Sequence, residues 1–165
     1  MTELSGRERV QQDADQRGVS IEFAGRGPAR SVEEAAAALG VEPGDIVKTL
    51  VARAKRTQSA SEAELVLVLI PGDRAVDWAK LRRAAGFKKM SMAAPEEGLE
   101  ATGYRPGSIN PFGTTSTLPV YADESISGRI AMGAGEPDLN LCVESAELFE
   151  SFGVTTGDIT RQSLS

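Results

Sequence analysis

Apolar and polar positions alternate with period two in several short runs of this chain, and each such run predicts a β-strand. Val19, Ile21 and Phe23 alternate with Ser20 and Glu22, which turns one face of that segment inward. Residues 45–54, D-I-V-K-T-L-V-A-R-A, are rich in β-branched and apolar types and too stiff for a good helix. As a strand they carry Ile46, Lys48, Leu50 and Ala52 on one face and Val47, Thr49, Val51 and Arg53 on the other. Residues 64–70 are almost continuously apolar and stop at Pro71-Gly72, the pattern of a central strand buried on both faces. Residues 88–92, 118–122, 129–133 and 139–143 complete the predicted strands.

Helices announce themselves through caps. Residues 4–17 are polar with weak helical periodicity and end at Gly18, predicting a peripheral surface helix within residues 1–18. Ser31-Val-Glu-Glu34 is a capping box that opens an alanine-rich helix to Leu39, which Gly40 ends. Asp77 caps a helix bearing Trp78, Leu81, Ala84 and Ala85, and Gly86 stops it. Pro95-Glu-Glu starts a short helix, and residues 145–152 form a closing one before Gly153. Residues 42–45 turn the chain into the lysine-bearing strand, and residues 55–63 read as a polar hairpin tip. Gly25-Arg-Gly-Pro28 reads as a turn, because it lacks the third glycine of a dinucleotide fingerprint and Pro28 intrudes. No repeat or linker separates these elements. They predict a single mixed α/β (α+β) domain over residues 1–165, with a mixed or antiparallel sheet and flanking helices.

Length and composition agree, since 165 residues with 41% hydrophobic and 25% charged types suit one soluble domain with a sizeable core. Residues 1–10 are polar, so no secretory signal is read there, and no apolar run is long enough to cross a bilayer. A cytoplasmic protein with no membrane or DNA partner is expected. The net charge of −6, from 18 basic and 24 acidic residues, argues against a general nucleic-acid coat. It leaves room for a grip on one RNA end through a local basic patch. Lys80, Arg82, Arg83, Lys88 and Lys89 form one candidate cluster, or else a solvated face.

The absences narrow the chemistry further. With no histidine, and Cys142 as the sole cysteine, Ser-His-Asp and Cys-His catalysis and Cys/His zinc sites are excluded. No cofactor or metal is expected. Cys142 reads as a small buried hydrophobe.

Lys48 then draws attention as a cation in an otherwise apolar row. Either a ligand or the fold supplies it with an anion, or its long stem snorkels to water. The loop T-G-Y-R-P-G-S-I-N-P-F-G, residues 102–113, holds three glycines and two prolines in twelve positions. Glycines let a backbone approach a ligand closely and prolines hold its shape, so the loop suits recognition by main chain, or is a wide turn.

Taken in order, V-E-E-A-A-A-A-L-G-V, I-V-K-T-L-V, L-V-L-I-P-G-D, the loop above and L-P-V-Y-A-D-E-S resemble the YbaK-type aminoacyl-tRNA deacylases, free-standing relatives of the prolyl-tRNA synthetase editing domain. The resemblance covers roughly residues 19–160. It implies a compact α/β fold with a barrel-like sheet and hydrolysis of the ester joining a wrong amino acid to tRNA, most plausibly a small residue such as Ala or Cys on tRNA(Pro). It implies Lys48 in the substrate pocket near the 3′-terminal adenosine. Gly103, Gly107 and Ser108 would serve the reaction, with Arg105, Pro106, Pro111, Phe112 and Gly113 along the substrate. Thr49, Gly133 and Asn140 would shape the pocket, and Phe23 and Val32 would size it or serve as plain core. A water placed by backbone dipoles and a ribose hydroxyl would attack the ester, without metal or protein nucleophile. The chain departs from the pattern at Gly133, Thr114 and Asn140, where relatives often carry a small hydroxyl residue, a histidine and another polar group or acid. Asp123-Glu124 read as a turn and cap, or as a partner orienting Lys48. The implied partners are the acceptor end of aminoacyl-tRNA and prolyl-tRNA synthetase. The rival reading is a non-catalytic module that binds a nucleotide or RNA end or docks on a synthetase; a small-molecule esterase lacks any visible nucleophile–base pair.

Overall fold

The computed structural model describes residues 4–59 and 61–163. Its first half runs α1 (Gly6–Arg17), β1 (Ile21–Gly25), α2 (Val32–Leu39), β2 (Val47–Lys55), β3 (Glu64–Pro71), β4 (Arg74–Val76), α3 (Trp78–Ala85) and β5 (Lys89–Met92). The second half runs α4 (Pro95–Thr102), β6 (Val120–Asp123), β7 (Arg129–Gly133), β8 (Leu139–Glu144), α5 (Ser145–Phe152), β9 (Thr155–Gly157) and β10 (Thr160–Gln162). The mixed α/β expectation is met.

The main sheet has the order β5-β2-β3-β6-β9, antiparallel through β5, β2 and β3 and parallel from β3 to β9. β3 lies at its centre, and its residues 66–71 are buried, as its apolar run predicted. A second, antiparallel sheet has the order β1-β8-β7, and β4 pairs with β10. The barrel-like arrangement stays open: the main and second sheets meet through a single parallel bridge, Ile46 to Ala131. β4, β9 and β10 were not predicted, because three residues carry no readable period.

Alternation along β2 works as predicted. Val47 and Val51 enter the largest core with Leu67, Leu69, Met132 and Leu141, while Ala52 and Ala54 join a second core with Leu81, Phe87 and Met90 beneath α3. Ile46 packs with Ala35 and Ala36 of α2 in a third. α1, expected as a peripheral helix, has exposed outer residues but buries Val10 and Ala14 completely in the largest core.

Asp123 ends β6 inside the protein, 3% exposed. Its carboxylate accepts from the Ile159 N–H and Thr160 hydroxyl at 3.0 Å each, and from the Ser125 hydroxyl. It therefore ties the β10 end of the chain to β6 and does not orient Lys48. Burial pushes its pKa up, but the bonds from Ser125, Ile159 and Thr160 outweigh this and hold it below the usual carboxylate range. A depressed folded-state pKa contributes stability above the unfolded pKa, and that stability is lost as pH falls through the folded value. Asp123→Asn should thus cost about 1.5–3 kcal/mol at neutral pH in urea denaturation, with the gap to the parent closing on acidification below pH ~4.

Candidate active site

β2 is paired with β3 over all but its last residue, from Val47–Pro71 to Ala54–Glu64, but β5 covers only residues 52–55 on its other edge. The ladder turns the N–H and C=O of Thr49 the same way as the Val51 carbonyl, which accepts from Ala93 at 3.0 Å. On that side β5 stops short of Thr49. This open half-edge forms one wall of a cavity of about 510 Å³.

The remaining walls come from three directions. Ala29, Val32 and Ala35 close it from the α2 side, Ala93, Pro95 and Gly98 from the start of α4, and Pro106, Gly107 and Ile109 from the glycine loop. Gly133 and Asn140, cross-strand partners on β7 and β8, form the floor. The surface is mainly apolar. Its ionisable side chains are Arg26, Arg30 and Lys48, all cationic, with no carboxylate among the lining residues. Arg26 is fixed by donating to the Asn140 side-chain oxygen. The Thr49 hydroxyl is buried and has no hydrogen-bond partner among the described residues. Buried hydroxyls are usually paired, so this one is available to whatever fills the cavity.

Lys48 borders the cavity with its side chain exposed, so of the two readings open from sequence the structure agrees with a stem that snorkels to water. Its two neighbours on the same face, Ile46 and Leu50, pack with the α2 and α3 clusters respectively, and Lys48 falls between the two. Water reaches its ammonium there, beside an apolar wall.

The glycine loop is held from behind. The Arg9 guanidinium donates to the carbonyls of Thr102 at 2.9 Å, Gly103 at 3.4 Å and Gly113, and lies 4.7 Å from the centre of the Tyr104 ring. Asp13 accepts from the Gly113 N–H at 2.9 Å, so α1 grips both ends of the loop. At Gly113 φ is +64°, and a Cβ would stand 2.7 Å from the Arg9 carbonyl oxygen, so only glycine fits. Inside, the Tyr104 hydroxyl donates to the Phe112 carbonyl at 2.6 Å. Burial pushes the Tyr104 pKa up to about 12, which keeps that donor protonated. On the cavity side the loop rests directly on β7. A Cβ at Gly133 would meet Gly107 O and Ser108 Cα at 2.9 Å, so any side chain there would lift the loop.

Of the residues singled out from sequence, Val32, Lys48, Thr49, Pro106, Gly107, Gly133 and Asn140 line the cavity. The others do not. Gly103 caps α4, and Ser108 is buried, its carbonyl accepting from Gly135. Arg105 is exposed outside the cavity. Phe112 is a core side chain packed edge-on against Phe152 at 5.3 Å, and Phe23 is half-buried beneath the Arg7 guanidinium. Pro111, Gly113 and Thr114 border a separate, more polar hollow against α1, with Arg9 and Asp13. Arg26 and Arg30 were missed; the only signal was a pair of arginines flanking a turn before a capped helix.

The family model for the aminoacyl-tRNA editing domain matches residues 26–159. The chain belongs to that family. Among curated proteins, this editing domain is 34% identical over 110 residues to the proline–tRNA ligase of Limosilactobacillus fermentum, covering 67% of this chain and 19% of the ligase. The chain thus spans under a fifth of the ligases it matches. It is 33% identical over 122 residues to the "Putative Cys-tRNA(Pro)/Cys-tRNA(Cys) deacylase EbsC" of Enterococcus faecalis, covering 73% of this chain and 71% of that one. A crystal structure described as "a putative trans-editing enzyme for prolyl tRNA synthetase" superposes with a TM-score of 0.81 at 28% identity, over 97% of this chain and 99% of the other. The crystal structure of hypothetical protein APE2540 gives 0.82 at 27% identity, over 93% and 100%.

Removing the brace should free the loop. In Arg9→Ala, hydrogen exchange of amides 103–113 should accelerate and stability fall by about 1–3 kcal/mol, and Arg9→Lys should restore only part, since an ammonium lacks the planar fork that spans three carbonyls.

Proposed function

We propose that this editing domain is a trans-acting hydrolase that removes a small mischarged amino acid from tRNA, with tRNA(Pro) as the substrate that its relatives' names favour. The observation that carries the reading is the charge of the cavity: every ionisable side chain lining it is cationic, in a chain whose net charge is −6. Such a site suits a ligand with an anionic tail and a small apolar head. The 3′-terminal nucleotide of a charged tRNA is one. Lys48, with Arg26 and Arg30, holds the terminal phosphates at the mouth. The apolar walls from Val51, Ile109 and Pro106 receive the aminoacyl side chain, and their volume limits its size.

The chemistry follows from what is present. A water attacks the ester carbonyl, the carbonyl oxygen gains negative charge, and the ribose oxygen leaves with a proton. The Thr49 hydroxyl orients the ester against the open edge, and the neighbouring ribose hydroxyl assists the water. The reaction belongs where tRNA is charged, in the cytoplasm, and a prolyl-tRNA synthetase is the natural supplier of the mischarged substrate.

Deacylation of Ala-, Cys-, Ser- and Thr-charged tRNA in the presence of EDTA tests the reading. Lys48→Ala should lose roughly 10- to 100-fold in kcat/KM with an unchanged melting temperature, because a charge-assisted hydrogen bond contributes ~1.5–3 kcal/mol. Wild-type rates in that variant, or turnover that requires a metal, would contradict it.

Thr49→Val separates binding from folding. Replacing a buried, unpaired hydroxyl by a methyl group should leave Tm equal or higher, yet lower kcat/KM by roughly 5-fold, the worth of one hydrogen bond. A drop in Tm with activity intact would show the hydroxyl to be structural.

A further inference from the structure

Beyond the cavity, the same strand pair carries a second feature that a terminal nucleotide does not use. Arg53, Lys55, Arg82, Lys88 and Lys89 line a groove of about 400 Å³ with no carboxylate among its lining residues. Lys55 and Lys89 are directly opposite each other on β2 and β5, and Arg53 is opposite Ser91, so these side chains share one face. Like charges placed opposite in a ladder are destabilising. Among the described residues, Lys55, Arg82, Lys88 and Lys89 form no ion pair; Arg53 meets Glu97 at 3.5 Å, at the end of the groove nearest α4. Lys80, grouped with this patch from sequence, is instead held by Asp158 at 3.1 Å and the Thr160 carbonyl at 3.0 Å.

Groove and cavity adjoin. Val51 lines the cavity, and Arg53, two positions on along the same face of β2, lines the groove. Along β2, Lys48 and Lys55 are at most ~23 Å apart, from seven steps of ~3.3 Å, and point to opposite faces, so an RNA on the Lys55 face reaches Lys48 around the edge that β5 leaves open. We infer that this groove is the seat of the RNA duplex whose unpaired 3′ end enters the cavity, with Lys55, Lys88 and Lys89 meeting stem phosphates. The inference rests on the deacylase reading for its polarity. A continuous polyanion explains both a like-charge pair kept in a sheet and its continuity with a cationic cavity. An acidic protein surface would explain the first and not the second.

The test is the triple variant K55E/K88E/K89E of the full chain, with binding of uncharged RNA as the readout so that it does not depend on hydrolysis. Anisotropy titrations against a stem-bearing minihelix and against a single strand with the same 3′ end, at several salt concentrations, are compared. The parent should prefer the minihelix. The variant should lose at least 10-fold in minihelix affinity, with a log K against log salt slope shallower by roughly two to three, and should bind both RNAs alike. Its Tm should stay close to the parent's, because two glutamates opposite each other repel as the two lysines did; if it falls, K55Q/K88Q/K89Q, which removes that repulsion, is read in the same way. Unchanged minihelix affinity and slope overturn the inference, as does retained RNA binding with loss of binding to prolyl-tRNA synthetase, which would make the groove a protein dock. A parent that binds the minihelix through these lysines yet deacylates nothing would refute the deacylase reading and leave the groove assignment standing.

Discussion

The half-open edge of β2 is the constraint on which the rest of this molecule depends. A strand bonded on both sides has nothing left to offer a ligand, and a strand free on both sides invites association with other chains. β2 is locked by eight register positions to β3 and capped by β5 at its far end only. What β5 leaves uncovered is the run around Thr49, which lines the cavity and is held along its other edge by β3. Helix α2, the start of α4 and the glycine loop surround that run closely enough to make a cavity. The site is therefore built on a strand whose position is fixed by the central β3, and the loop has only to close over it.

That closure is itself fixed twice. Contact without a side chain at Gly133 sets how near the loop lies to β7, and Arg9 with Asp13 sets the positions of its ends. The second device comes from α1, which precedes the residues 26–159 matched by the family model. A planar guanidinium bonded to three carbonyls costs little to keep in place, since its fork is preorganised. On the proposed reading the loop faces an ester, and its dipoles are held still during the reaction because reorganisation at that moment raises the barrier. Bracing from outside the cavity achieves this while leaving the loop's own share of the lining, Pro106, Gly107 and Ile109, free of polar side chains.

Much of this architecture was legible in the chain. Alternation at residues 45–54, the doubly buried run before Pro71, the Ser31 cap and the Gly40, Gly86 and Gly153 stops each appear where the pattern put them, because each is a local effect. What alternation cannot supply is the identity of the layer covering a face. Lys48 was assigned to the correct face, but the gap between the α2 and α3 clusters into which it falls was not visible, so the sequence left open whether it meets an anion or water. The loop's residues drew notice as a block. Folding then divided them, with Pro106 and Gly107 toward the cavity, Phe112 into the core and Gly113 toward α1. Arg9 carried no local signal, since its three partners lie more than ninety positions away.

Charge distribution completes the argument. With 24 acidic and 18 basic residues, most of the surface disfavours a polyanion, and the cationic positions gathered along the open side of β2 and β5 stand out against it. A uniformly basic protein would bind RNA anywhere along its length and release it slowly. An acidic one with a single basic track disfavours wrong orientations through repulsion and accepts one approach, which favours turnover over storage. On the proposed reading, the apolar cavity at the end of that track discriminates by volume, the property that separates a small aminoacyl group from a larger one.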